Sequence, residues 1–268
     1  MNKTLFYKEL KRGFIGWISV VAISCGYLIL ILIVNSTMTP MMDSVAEMFG
    51  SMPEGFLKAL NFSSQSWSNI MGFYATYFVF IVPLITGGFS VVWGINMIAK
   101  EEYHRTAEFL LTRPVPRHQV LSTKMVVVSL YILSTNLLIY VTALVGMSII
   151  DAQAVNVGTL TILHFYGLVA CFLLMALGLF ISMLFKRGRS GVGIGIGIVM
   201  GCYLFDMILK VYGKADFLLY LTPFKYINLD VINPGYALEG WRILVPLGVT
   251  ILLVASSYLL FRRKDIYT

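Results

Sequence analysis

Six long stretches of the chain carry no charged residue: 13–42, 59–99, 125–150, 152–185, 190–205 and 243–261. A helix needs about 20 mostly apolar residues to cross ~30 Å of hydrocarbon. The pattern therefore predicts six spans in a single domain covering 1–268, near 14–34, 70–99, 125–149, 160–185, 191–212 and 243–261. The fifth holds two ionic residues, Asp206 and Lys210. The second would be ~45 Å long at 1.5 Å per residue and must tilt, kink or project beyond the hydrocarbon. Pro83 and the pair Gly87-Gly88 offer it a kink site, because proline removes a backbone hydrogen bond and displaces the preceding turn.

Between the spans, three segments have a pattern of their own. Over residues 3–14, Phe6, Leu10 and Phe14 recur every four positions against an arc of Lys3, Lys8, Glu9, Lys11 and Arg12. This predicts an amphipathic helix lying in the headgroup plane. Within Asn35–Ser68, Met41, Met42, Val45, Met48, Phe49 and Met52 form an apolar stripe at helical spacing. Residues Phe217–Asn233 are too apolar for an ordinary loop and are expected either to re-enter the protein or to form an aromatic belt at the membrane surface.

Composition fixes the solvent. Hydrophobic residues make up 58 % of the chain and charged residues 12 %, too few ionic groups to clothe a soluble globule. The net charge of +7 belongs mostly to topology. The N-terminus, the loop Lys100–Lys124, the short loop Lys186–Arg189 and the C-terminal tail hold 15 of the 20 Lys and Arg. All four fall on one side of a six-span map, so that side is expected to be cytoplasmic, with both termini inside. The basic balance is accordingly no footprint of a nucleic-acid partner. The first apolar run is longer than the 7–15 residues of a cleaved signal, and the faint lipoprotein-like box Ala22-Ile23-Ser24-Cys25 is followed by more apolar residues, so the run is read as a retained span.

Catalytic patterns are missing. No metalloprotease, nucleophile-elbow or phosphate-loop motif occurs. His104, His118 and His164 are scattered, without partners at metal-ligand spacing, and read as interfacial polar residues; no metal site is expected. Cys25, Cys171 and Cys202 all fall in spans and read as small packing residues. Gly193, Gly197 and Gly201 form a flat strip on one helix face that permits close backbone approach. It would serve a packing contact within the chain, the favoured reading, or a dimer seam. Asp206 and Lys210 are spaced as an i,i+4 pair near the outer end of the fifth span. They read as a local structural pair or, alternatively, as part of a translocation or proton-coupling path.

The most specific stretch is Lys100–Lys124. Phe109, Leu110 and Leu111 stand against Glu101, Glu102, Arg105 and Glu108, and Pro114 and Pro116 break the helix. A charged helix ended by proline between two spans suits docking in a groove of a soluble partner. Glu101-Glu102, Thr106, Glu108, Leu110-Leu111, Pro114-Val115, Arg117 and Lys124 resemble the segment after the second span in permeases of type-2 ABC transporters. Arg105 stands where that pattern has Gly, and Ala107 where it has Leu. Leu221-Thr222-Pro223-Phe224 is similar to the family's Leu-Ser-Pro-Phe, and Phe261–Asp265 to its Phe-x-Arg-Arg-Asp ending.

The resemblance implies an all-α integral membrane permease with an N-terminal interfacial helix, six spans, a cytoplasmic coupling helix and re-entrant short helices after the fifth span. It further implies a bacterial plasma-membrane assembly with a second permease, identical or paralogous, and two separate ATPase subunits. This chain would hold no cofactor and hydrolyse nothing, while the partner binds ATP and Mg. Residues Glu101, Glu102, Arg105, Thr106, Glu108, Pro114 and Arg117 would belong to the coupling element. Most such assemblies export, and amphiphilic peptides, drugs or lipids are the expected cargo. The rival reading is a stand-alone ion- or proton-coupled carrier built on Asp206 and Lys210. An intramembrane enzyme has no catalytic set to support it.

Overall fold

The structure is a computed structural model that describes residues 3–38, 44, 47–48, 51–53, 55, 57, 70–103, 116–184, 191–233 and 236–263. Helices α1 (Lys3–Met38), α2 (Ile70–Ile81), α3 (Gly88–Tyr103), α4 (Arg117–Asp151), α5 (Val157–Leu184), α6 (Gly191–Tyr212) and α7 (Trp241–Arg263) dominate it. A π-helical turn, Val82–Gly87, joins α2 to α3, so the second span is one helix with a widened turn at Pro83. This is the expected kink site. Counting α2–α3 as one unit, six helices are long and apolar enough to cross a membrane.

One expectation changes. Residues 3–14 do not form a separate interfacial helix; they are the first turns of α1, which runs unbroken for 36 residues. No proline interrupts α1, and α1 packs along α4 from its first turns. Phe217–Asn233, expected either to re-enter the protein or to form an aromatic belt, takes a definite form. It folds as three short 3-10 turns, Asp216–Leu221, Pro223–Tyr226 and Leu229–Ile232, which pack on α2, α5, α6 and α7. Leu219, Phe224, Tyr226 and Val231 are buried there, while Phe217 and Leu221 are exposed. Each turn ends as a residue returns to extended backbone, at Thr222, Ile227 and Asn233. Much of the methionine stripe, including Met41, Met42, Val45 and Phe49, lies outside the described residues.

The core is the pair α3 and α5. A Cβ on Gly94 would collide with the backbone at Met175, and one on Gly178 with the backbone at Val91. The two helices thus touch main chain to main chain at two points one helical turn apart, which only glycine allows. Around this pair, Val91, Ile95, Leu174, Val199, Tyr203 and Phe224 form one apolar cluster, while α1, α2 and α4 close the larger one. The most apolar stretch of α5 is 67 % buried, that of α7 only 17 %. The outer helices present aliphatic faces outward, as a chain dissolved in lipid must.

Side-chain pairings fix the helix directions. Glu9 meets Lys124, the Thr142 hydroxyl lies 3.5 Å from Cys25 Sγ, and Leu32 packs on Gly146, so α1 and α4 run parallel. Arg117 donates to the Phe261 carbonyl at 3.4 Å, and the Ser122 and Tyr258 hydroxyls share a hydrogen bond of 2.7 Å, so α4 and α7 run antiparallel. The start of α1, the start of α4 and the end of α7 therefore share one end of the bundle.

Candidate functional site

That shared end is where the sequence placed its coupling element. Glu101 and Glu102 lie in the last turn of α3, and Arg117 opens α4 after Pro116, whose extended backbone (φ −62°, ψ 143°) starts the helix. Arg105, Thr106, Glu108 and Pro114 lie outside the described residues. Two turns into α4, Lys124 is 3 % exposed, and its ammonium sits 3.2 Å from the Glu9 carboxylate of α1. An ammonium so enclosed needs a counter-charge, and removing either partner would leave the other charge buried alone.

Further along the same seam, the Tyr131 hydroxyl donates to the Leu10 carbonyl. Trp17 of α1 and Trp93 of α3 flank the Tyr131 ring, with centroids 6.0 and 5.7 Å away. Gly13 makes the fit possible, since a Cβ there would lie 2.7 Å from Tyr131 Cε2. Helices α1, α3 and α4 are thus pinned together just inside the segment 104–116, while Arg117 and Ser122 tie α4 to α7. Sequence reading counted Lys124 as a loop cation and missed this clamp. One signal was present: Glu9 is the single acid among the first 42 residues.

Asp206 and Lys210 occupy the opposite end. Lys210 Nζ lies 2.6 Å from Asp206 Oδ2, and the Thr222 hydroxyl lies 3.0 Å from Oδ1, where it donates. Asp206 is 2 % exposed. Oδ2 thus pairs within α6, one turn apart, while Oδ1 ties Thr222, at the head of the second 3-10 turn, to α6. Beside it, Arg242 Nε donates to Glu239 at 2.7 Å and Nη1 to the Lys225 carbonyl at 2.8 Å. The Arg242 guanidinium lies over the Trp241 ring at 4.6 Å. The hydrogen bond from Arg242 holds the Glu239 carboxyl below its ordinary range.

Two other expectations fail. His164 is not interfacial: it is buried in α5, with Nε2 2.7 Å from the Tyr74 hydroxyl and the rings of Phe78 and Tyr140 at 4.6 and 5.2 Å. Its sequence position near the start of a span suggested the surface; the aromatic partners come from α2 and α4, far away in the chain. The glycine strip meets no packing partner among the described residues. Gly193, Gly197 and Gly201 have nothing within 4 Å of a built Cβ, because α6 buries the neighbouring face through Gly195, Val199 and Tyr203. His118 is exposed, and His104 lies outside the described residues. Among the described residues no group of three or more His, Cys, Asp or Glu comes together, and the three cysteines are unbridged.

Compared with known families, the chain matches the one described as ABC-2 family transporter protein over residues 8–266. The chain belongs to that family. As an ABC-2 permease it is a multi-pass membrane protein that works with an ABC ATPase in a transporter. A search of curated proteins finds no match to this permease. The matched region takes in α2 through α7 and most of α1, so the clamp, the Asp206 cluster and the segment 101–117 are all parts of the permease domain.

Proposed function

We propose that this permease is half of the translocation path of an ATP-driven exporter, assembled with a second permease and two ATPase subunits. The observation that carries this reading is the convergence at one end of the bundle. Segment 101–117 leaves α3 and returns to α4 where α4 is locked to α1 by Glu9–Lys124 and to α7 by Arg117 and Ser122. A push on that segment is delivered to three spans at once. Lys3, Lys8, Lys11, Arg12, Arg117 and Lys124 gather at the same end, which supports placing it in the cytoplasm of a plasma-membrane protein. Glu101, Glu102, Arg105, Thr106, Glu108, Pro114 and Arg117 form the coupling element; ATP and Mg belong to the ATPase subunit, and this chain carries out no hydrolysis.

Export then follows from a shift between inward-facing and outward-open arrangements, driven by different ATP affinity in the two. The outward glycine face of α6 gives a second permease copy a surface for close approach. An amphiphilic cargo suits the aliphatic and aromatic lining of such a path. The family match favours this reading over a stand-alone carrier built on Asp206 and Lys210. The test is co-expression with a soluble ABC ATPase encoded beside this chain, followed by affinity capture and ATPase assay in lipid. A stable complex whose turnover responds to amphiphiles supports the reading; transport by the permease alone, without ATP, overturns it.

A further inference from the structure

Where α1, α2, the π-helical turn, α3, α4 and α5 meet, the bundle holds a cavity of about 10 Å³, room for one water molecule and little else. Val20, Phe78 and Ile132 line its apolar side; Thr86, Ser90, Thr135, Asn136 and Cys171 line the other. Thr135 is the telling residue. Its hydroxyl is buried, the residue is 3 % exposed, and Oγ1 has no hydrogen-bond partner in the chain.

Several hydroxyls in these helices turn back onto their own backbone, while Ser24 of α1, away from the cavity lining, is the other buried hydroxyl without a partner among the described residues. Thr76 donates to Gly72, Ser90 to Thr86, Thr123 to Gln119 and Thr142 to Leu138. Thr135 would reach the Tyr131 carbonyl in the same way, but Ser134 already donates there at 3.1 Å. A buried hydroxyl without a partner is costly, and native structures satisfy such groups through ordered water.

Other groups that line the cavity have matching needs. Ser90 uses its one proton on Thr86, which leaves its oxygen lone pairs to accept. Pro83 has no N–H, so it cannot serve the carbonyl of Val79 in an α ladder or of Phe78 in a π ladder. Phe78 lies on the cavity wall.

We propose that this cavity is a binding site for one water molecule, held by the Thr135 hydroxyl and by acceptors on the π-turn side of the second span. The bound water is the polar link between α4 and the widened turn, and it satisfies groups that neither helix satisfies alone. A site of this size and polarity takes water rather than an ion, since no charged side chain lines it.

The claim is independent of the ATPase and of any cargo. It is tested on the full-length permease in lipid nanodiscs by thermal melting of Thr135→Val, Thr135→Ser and Ile132→Val. Valine has the shape of threonine without the hydroxyl. If Thr135 is unpartnered, losing the hydroxyl removes a buried polar group for nothing and raises or preserves the melting temperature. If it holds a water, Thr135→Val strands that water's other partners, and the melting temperature falls by about 2–4 °C. Thr135→Ser keeps the hydroxyl and stays within the loss seen for Ile132→Val, the control for one missing methyl. A second measurement stands whether or not the valine variant folds: a density map of the native permease sharp enough to show ordered water. A peak within hydrogen-bond reach of Thr135 Oγ1 supports the site. An unchanged or raised melting temperature for Thr135→Val, or a map in which Oγ1 turns onto the Tyr131 carbonyl with no peak beside it, overturns it.

Discussion

The Lys124 ammonium of α4 lies 3.2 Å from the Glu9 carboxylate of α1, with the two side chains only 3 % and 15 % exposed. The pair joins the first turns of two parallel helices that are distant in sequence, at the point where α4 emerges from the segment 104–116. Its consequence is mechanical: α1 and α4 leave that end of the bundle as one body.

Breaking the pair should loosen that body. Glu9→Gln and Lys124→Met each strand one partner, and for buried pairs such a loss costs roughly 3–5 kcal/mol, less here because Glu9 retains some contact with solvent. The exchange Glu9→Lys with Lys124→Glu should recover part of the loss. Melting curves in detergent of wild type, the two single variants and the double variant Glu9→Gln with Lys124→Met close a cycle that gives the coupling energy, and additive single effects would mean that the two charges do not interact.

Glycines on two helix faces should behave oppositely. Gly178→Ala places a methyl against the Val91 backbone, where neither helix can yield without shifting. A cost of ~1–3 kcal/mol is expected for such overpacking, seen as a lowered melting temperature. Gly197→Leu meets open space within the chain and should leave the single permease as stable as Ile198→Leu does. If α6 seats a second copy, Gly197→Leu should nonetheless weaken the dimer, measured by cross-linking in membranes.

Asp206→Asn removes the charge that Lys210 neutralises but keeps an oxygen for Thr222. The change lies at the end of the bundle away from the segment 101–117. Basal ATP turnover of an assembled complex should persist, with a lower melting temperature for the permease. Complete loss of turnover in a normally assembled complex would show that Asp206 takes part in coupling.

The Glu239–Arg242 contact should be sensitive to pH. Its hydrogen bond from Arg242 lowers the Glu239 pKa in the folded chain, so the contribution to stability is complete above the ordinary value of 4.5. It is lost as pH falls through the lowered folded value. The melting-temperature difference between wild type and Glu239→Gln should therefore hold steady down to about pH 5 and shrink below it. A difference that does not change with pH would mean the contact contributes through packing alone.

The spans were legible because lipid imposes so simple a rule. The fifth span, drawn at 191–212 past the end of the charge-free run 190–205, matches Gly191–Tyr212, and Pro83 marked the site of the π-helical turn. What the sequence concealed depends on neighbours from other helices. A glycine strip at i, i+4, i+8 looks the same whether it faces protein or lipid, and Gly94 and Gly178, which do pack, belong to no strip at all. Amphipathic periodicity over 3–14 could not tell a separate surface helix from the first turns of α1, since the decisive partner, Lys124, lies more than a hundred residues on. His164 likewise needed Tyr74 and Tyr140 before its place was evident.

Whether segment 101–117 couples this permease to an ATPase is decided by reversing its charge. Glu102 and Glu108 changed together to Lys should weaken capture of the ATPase subunit, or leave ATP hydrolysis running without transport, because charges at the edge of an interface orient the partner. Reversal of Glu47 and Glu54, in the segment between the first two spans, is the matched control and should spare the complex. Both comparisons belong at one salt concentration, since exposed charges are screened over about 8 Å at physiological ionic strength. The permease should still insert, because the added positive charge stays on its basic side. Reduced capture or uncoupled hydrolysis for the Glu102/Glu108 reversal, against none for the control, is the result predicted. Unchanged capture together with unchanged substrate-stimulated turnover would contradict the assignment of 101–117 as the coupling element.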